Sequence, residues 1–167
     1  NKAIDSNIRS VDVDKKFLEL WGDLPLPNIG TYPLSAKIHP PHAIDFIKYA
    51  ASVQGNYAIA IKAAQDMEAL MNKNNLSATR GQTAFAGPWL INKIFGKWET
   101  LLNTVPVVQG TPYLDGIWSY VFGSAYLAKG DIDSAIRELD KLKELVNSPD
   151  VDKYRVGATP ASAVLRV

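Results

Sequence analysis

The stretch GSAYLAKGDIDSAIREL, Gly123 to Leu139, decides the fold. Gly123 is followed by Tyr126, Gly130 and Ala135, so that small residues flank one aromatic side chain and one central glycine. A glycine in this place suits the left-handed conformation that commonly ends a helix, and Asp131 after it can cap a following helix. Small residues let two helices approach closely while the aromatic fills the space beside them. The stretch therefore predicts two antiparallel helices joined by a tight turn.

The same pattern occurs twice upstream. YAASVQGNYAIAIKAAQDM, from Tyr49, retains Gly55 and Ala60, and FAGPWLINKIFGKWETLLN, from Phe85, has Gly96 but Leu101 in place of the alanine. The three glycines lie 41 and 34 residues apart, and a recurrence of roughly 30–45 residues is typical of arrays of helical hairpins. We therefore predict hairpins over residues 41–74, 83–105 and 112–147, the second of them beginning with a short helix from about Pro88.

The flanking residues predict four further segments. Residues 1–10 are polar and without period, which indicates a flexible N-terminal arm. An extra helix over 11–22 places Val13 and Phe17 on one face. Because proline restricts itself and the residue before it, the proline-rich stretch 23–40 predicts an extended connector. Thr159 and Pro160 form a helix-start signal, which indicates the start of a further helix over 159–167. The hairpins and these helices together make one predicted domain over residues 11–167.

These hairpins resemble tetratricopeptide repeats (TPR), most closely in GSAYLAKGDIDSAIREL and least in the middle hairpin. From about Pro40 to Leu145 the chain is similar to a group of bacterial repeat proteins in which a proline-histidine pair opens the first helix. The resemblance implies an all-α fold, a right-handed superhelix of antiparallel helix hairpins (a TPR-like α-solenoid), and no specific activity. It also implies packing roles for seven residues: Gly55, Ala60, Gly96, Gly123, Tyr126, Gly130 and Ala135.

Composition excludes several classes of function. Hydrophobic residues make up 47% and charged residues 21% of the 167, which is typical of globular proteins. A net charge of +1 indicates no nucleic-acid partner. The absence of cysteine excludes disulfides and thiolate chemistry, and no apolar run predicts a membrane span. The compartment stays open. Because the chain starts with Asn1, we expect a processed protein or a segment of a longer one, and Asn75 opens a possible glycosylation sequon.

The two histidines, His39 and His42, are the candidates for chemistry. A metal site would need carboxylates such as Asp45 to complete it, because the chain has no cysteine and only these two histidines. The structural alternative, which we favour, puts Pro41 at the first helical position and the ring of His42 against a neighbouring element. Neither GxxxxGK[ST] nor GxGxxG occurs, so no nucleotide site and no cofactor is predicted.

The candidate binding surface is the concave groove that the first helix of each hairpin lines in repeats of this type. Its predicted residues are Asp45, Tyr49, Tyr120, Ser124 and Leu127. Tryptophans 89, 98 and 118 lie beside the glycine turns, which favours packing roles over a stacking surface for a sugar or base.

The sequence thus favours a non-catalytic chain that binds a protein or peptide, or stacks on copies of itself, through this groove. An alternative of another class is an accessory or sensor domain of a larger enzyme or secretion system. The least favoured hypothesis is a metal-dependent enzyme centred on His39, His42 and Asp45.

Overall fold

The computed structural model describes residues 2–21, 39–74, 76, 79–106 and 110–166. Over these residues the chain holds eight α-helices, one 3-10 turn and one hairpin of two very short strands, which confirms the all-α prediction. The chain divides into two compact units, Asn1–Leu70 and Met71–Val167, where the sequence predicted one domain over 11–167. The boundary coincides with the polar, exposed residues 72–74, which contribute no side chain to a core.

The first unit begins with a longer helix than the sequence predicted. Helix α1 spans Lys2–Trp21, so the interpretation of residues 1–10 as a flexible arm was wrong from Lys2 onward. Ile4 and Val11 are both buried, and a spacing of seven residues puts them on one helical face. The buried face of α1 therefore differs from the predicted one, because Val13 is 64% exposed, and it extends upstream of residue 11.

Helix α2 spans His39–Val53 and helix α3 spans Tyr57–Ala69. The predicted connector 23–40 was wrong for His39 and Pro40, which belong to α2, while residues 23–38 lie outside the described part of the chain. Proline fits the first helical turn because its missing N–H would have no partner inside the helix there. Asn75, the possible glycosylation site, also lies outside the described residues.

Alanine fills the interior of the α2–α3 hairpin. Ala51, Ala60 and Ala64 are fully buried, and Ile47 and Met67 complete the contact. Because a methyl group is the largest side chain at these three places, the backbones of α2 and α3 approach closely.

Over its described residues, the second unit contains five helices. They are α4 (Thr79–Ile94), α5 (Trp98–Leu102), α6 (Pro112–Ala128), α7 (Ile132–Val146) and α8 (Ala161–Leu165). Its core is built from large side chains, among which Phe85, Leu101 and Leu114 are fully buried. Trp118 stacks on Phe122 at 3.9 Å between ring centroids and meets Trp89 edge to face, so these tryptophans pack within the unit.

Helix α4 starts at Thr79 and contains Pro88, whereas the sequence predicted a short helix beginning near Pro88. A proline inside a helix removes one backbone hydrogen bond, so contacts with other elements must hold the upstream half. Gln82 supplies two of them: its side-chain amide donates to the carbonyl of Leu76 at 2.7 Å, and its Oε1 accepts from the Thr111 hydroxyl at 2.9 Å. Tertiary contacts therefore overrode the proline signal.

Three turns share one backbone geometry. The glycines at these turns have positive φ: +72° at Gly55, +64° at Gly96 and +81° at Gly130. In each, the N–H of the next residue donates to a carbonyl five residues back, from Asn56 to Ala51, from Lys97 to Asn92 and from Asp131 to Tyr126. Each glycine N–H also donates to the carbonyl three residues back. The two bonds together form the Schellman motif, which satisfies carbonyls that a helix end leaves unpaired.

The residue after each glycine is also the N-cap of the next helix. Asn56 accepts from the N–H of Ile59 at 3.2 Å, and Asp131 accepts from the N–H of Ser134 at 3.0 Å, which confirms the predicted cap at Asp131. Lys97 makes no side-chain cap, and the helix that follows it has only five residues. A cap with an acceptor side chain thus accompanies the long second helices, α3 and α7.

The C-terminal segment corrects the predicted helix over 159–167. A 3-10 turn over Val151–Lys153 leads to strands β1 (Arg155–Val156) and β2 (Thr159–Pro160), which pair antiparallel. Thr159 and Pro160 are therefore strand residues, and α8 begins at Ala161. A Cβ added at Gly116 would lie 2.7 Å from Cδ1 of Leu165, so the absence of a side chain there is what lets α8 seat against α6.

Candidate functional site

A groove on the surface of the α6–α7 hairpin is the candidate site. Its volume is about 310 Å³. It is lined by Ser119, Tyr120, Gly123, Ser124, Leu127, Ile132, Ala135, Ile136, Leu139 and Leu142. The residues Tyr120, Ser124 and Leu127, which the sequence predicted for a groove, lie along its α6 side. We call this feature the α6–α7 groove.

Local geometry explains the floor of the groove. A Cβ added at Gly123 would lie 3.3 Å from Cβ of Glu138, which shows that α6 and α7 approach closely at this glycine. The Ser124 hydroxyl donates to the carbonyl of Tyr120 at 2.7 Å, so its proton is already hydrogen-bonded within its own helix. The floor is thus formed at Gly123 without a side chain, and the hydroxyl of Ser124 beside it has no proton left to donate to an occupant.

The α7 side of the groove is a row of aliphatic side chains that the sequence analysis did not assign to a site. Ile132, Ile136 and Leu139 are 51%, 50% and 49% exposed, and their spacing of four and three residues puts them on one face of α7. Leu127 faces them from α6 and is 60% exposed. The result is a continuous apolar surface with aliphatic walls on both helices.

Tyr120 closes one end of the groove and is held by a cation–π contact. The Nζ of Lys93, on α4, lies 4.6 Å from the centroid of its ring. Such a contact fixes the ring orientation and keeps one face of the ring covered, while 39% of the residue remains exposed. Tyr120 therefore offers an oriented aromatic edge to an occupant.

The other predicted groove residues, Asp45 and Tyr49, lie on α2 in the first unit. Both are exposed, and Asp45 pairs with Lys48 at 2.5 Å. Tyr49 shares its exposed face with Phe46 and Val53, which the sequence analysis did not assign to a site. These residues make an aromatic and aliphatic stripe along α2, which is a second exposed apolar surface.

The sequence predicted the ring of His42 against a neighbouring element, and the structure shows a contact of this residue within its own helix. It is exposed, and its ring meets Phe46, one turn further along α2, edge to face at 4.8 Å. Within the described ranges, no three carboxylates or imidazoles come together in a way that would hold a metal ion. The side chain of His39 lies outside the described part.

A second cavity, of about 710 Å³, opens on the other side of the α6–α7 hairpin and is lined by more polar groups. The Asp115 carboxylate accepts the N–H of Gly110 at 3.1 Å, and burial raises the pKa of Asp115. Glu138 pairs with Lys141 at 2.7 Å through one oxygen, while its other oxygen is buried with no hydrogen-bond partner among the described residues. With Asp115, Glu138 and Glu144 in its lining, this cavity is acidic and polar, whereas the α6–α7 groove is mainly apolar.

Comparisons with known proteins add no family. No family model matches the chain, and no significant match was found among curated proteins or solved structures. Among the helices that the structure describes, none has the length and apolar character needed to cross a lipid bilayer.

Proposed function

We propose that this chain is a non-catalytic scaffold that binds a helical protein segment in the α6–α7 groove. In this proposal its hairpins are TPR-like repeats of a right-handed superhelix. The observation that carries it is the row of half-exposed aliphatic side chains, Leu127, Ile132, Ile136 and Leu139, around a groove of about 310 Å³. Exposed apolar surface of this kind on a soluble fold commonly marks an interaction site.

The shape of the groove suits an amphipathic helix. From Ile132 to Leu139 the α7 wall runs about 10 Å, or two helical turns. An occupant with apolar side chains at i, i+3, i+4 and i+7 would cover such a wall with one face and keep its polar face in water. Binding would be driven by removing the aliphatic side chains from water, at about 25 cal/mol per Å² of apolar area.

The chemistry of the groove supports binding in preference to catalysis. Tyr120 is the sole titratable side chain among the ten residues that line it. The Ser124 hydroxyl is engaged with a backbone carbonyl, so it is not paired with a base as a nucleophile would be. The groove therefore offers area and shape rather than proton transfer.

Site-specific photo-crosslinking tests the proposal. A photoreactive amino acid would replace Leu127 in the full chain, and a matched chain would carry it at Val105, which is also exposed but lies outside the groove. We expect the Leu127 position, in cells that naturally make the protein, to give a defined crosslinked species identified by mass spectrometry. No crosslink at Leu127, or an equal one at Val105, would refute the proposal.

Alanine substitutions then locate the binding energy. Tyr120→Ala should weaken formation of the crosslink at least several-fold, with thermal unfolding nearly unchanged, because the ring is partly exposed. Tyr49→Ala shows whether the α2 stripe takes part in the same capture. If either variant simply unfolds, that tyrosine has a structural role and is removed from the proposed surface.

A further inference from the structure

We infer that the α6–α7 groove is occupied by α7 of a second copy of this chain, in a two-fold dimer with its two α7 helices antiparallel. This inference rests on the proposed function, for which it names the partner. Three properties of α7 carry it: an apolar stripe wider than its contact with α6, complementary charges at its two ends, and the area that the groove exposes.

Helix α7 has an apolar face for which the described chain provides no cover. One face packs against α6, with Val146 buried in the core and Leu142 beside Gly116. The same apolar stripe continues beyond this contact with Ile132, Ile136 and Leu139, each about half exposed. A surface helix that meets one neighbour needs an apolar stripe only as wide as that contact, so the half-exposed part of the stripe indicates a second neighbour.

The charges on α7 are self-complementary. A two-fold axis placed between Ile136 and Leu139 sets Ile136 of each copy opposite Leu139 of the other. An isologous contact of this kind brings the start of one α7 beside the end of the other. Measured along the helix axis, Asp133 in the first turn of one copy then lies within about 1.5 Å of Lys143 in the last turn of the other. Both side chains are exposed and able to reach across.

The pairing also favours the antiparallel direction over the parallel one. Antiparallel helices place the positive end of one dipole beside the negative end of the other. Lys143 already pairs with Asp140 of its own helix at 3.0 Å, so Asp133 of the second copy would add a second carboxylate on its far side. A parallel arrangement would instead place Lys143 beside Lys143.

The exposed apolar area matches what a small dimer contact requires. Tyr120, Leu127, Ile132, Ile136 and Leu139 are each between 39% and 60% exposed. Covering them in both copies would bury roughly 800 Å² of apolar surface, and the polar rim brings the contact to the ~1,000 Å² expected of a specific interface. A contact at this lower limit predicts a weak dimer that dissociates on dilution.

Sedimentation velocity on the full chain, from low micromolar to submillimolar concentration, tests the dimer. We expect the wild-type chain to shift from monomer to dimer across this range. Ile136→Asp should abolish the shift, and Leu127→Asp should do the same from the α6 side of the groove. Val105→Asp, at an exposed aliphatic position outside the groove, should leave the shift unchanged. Circular dichroism confirms that each variant is folded.

Charge reversal tests the antiparallel register. Asp133→Lys and Lys143→Asp should each weaken dimerisation about tenfold, because each places like charges together in both contacts. The double variant restores opposite charges across the interface and should recover most of the affinity. A groove that merely tolerated an apolar neighbour would show no such recovery.

The outcomes separate the dimer from the proposed function. A wild-type chain that stays monomeric, an unaffected Ile136→Asp variant, or a double variant as weak as the single ones would overturn the inference. The proposed function would survive that result if the Leu127 position still crosslinks to a different protein. A crosslink between two copies of this chain, together with the concentration-dependent shift, would support both.

Discussion

The hairpins α2–α3 and α6–α7 have the same turn and different surfaces. Each turn has a glycine of positive φ, a Schellman bond from the next residue, and an N-cap side chain, Asn56 or Asp131. Beyond the turn, α3 buries alanines against α2, whereas α7 carries isoleucines and leucines that remain half exposed. The comparison shows that turn geometry is local, while the size of side chains on the second helix decides whether a groove with aliphatic walls forms.

The largest predicted effect comes from removing core volume in the second unit. Phe85 is fully buried, so Phe85→Ala should destabilise this unit by about 3–5 kcal/mol through lost burial and an unfilled cavity. Chemical denaturation followed by circular dichroism measures the change. Phe46→Ala is the control, because Phe46 in the first unit is half exposed and should cost far less. Equal losses at both positions would contradict the core assignment.

The first unit should be destabilised by the opposite change, the enlargement of a buried side chain. Ala60 is fully buried where α3 meets α2, so Ala60→Leu should overpack the contact and destabilise it by about 1–3 kcal/mol. Ala58→Leu, two residues away on the exposed side of α3, is the matched control and should be nearly neutral. Thermal unfolding and hydrogen exchange over residues 39–69 provide the readout. If Ala60→Leu proves as neutral as Ala58→Leu, the close approach of these helices is wrong.

The smallest predicted effect is a pH dependence of stability that distinguishes the turn at Asp131 from the turn at Asn56. The Ser134 hydroxyl and backbone N–H donate to the Asp131 carboxylate at 2.6 and 3.0 Å and hold the pKa of Asp131 below its usual value. A lowered folded pKa means that this carboxylate stabilises the fold above the unfolded pKa of about 3.9. That stabilisation is lost as the pH falls through the folded value.

Asp131→Asn should therefore lower Tm by at most a few degrees at neutral pH, with the difference from wild type disappearing in acid. Asn56 occupies the same place in the first hairpin and does not titrate, so Asn56→Ala should cost the same at both pH values. Thermal melts at neutral pH and near pH 2 compare them. A Tm difference at Asp131 that grows in acid would show that the charged carboxylate does not stabilise the cap.

Two helix starts show where sequence patterns were insufficient. The stripe of α1 begins at Ile4, but two buried residues among polar neighbours were too few to distinguish a helix from an arm. Pro88 predicted a helix start, although α4 begins at Thr79 because buried Gln82 is held by Leu76 and Thr111. That support comes from segments up to 29 residues away in the chain, and local periodicity carries no record of it.

The sequence predicted the α6 side of the candidate groove but not its α7 side. Tyr120, Ser124 and Leu127 were identified from their positions on the first helix of a hairpin, and they lie along the α6 side of the groove. The α7 wall of Ile132, Ile136 and Leu139 was missed because periodicity does not show which part of an apolar stripe the fold leaves exposed. The sequence did contain one indication of this wall, because α7 carries more bulky apolar residues than its contact with α6 covers.

The sequence by itself determined the helical class and the glycine turns, because backbone conformation at a glycine and its capping neighbours depends on a few adjacent residues. Only the tertiary structure decided the division into two units, the continuation of α4 past Pro88, and which apolar side chains stay in contact with water. Burial depends on the neighbours that the fold brings to each helix face. A stripe of isoleucine and leucine has the same sequence whether a neighbour covers it or leaves it exposed.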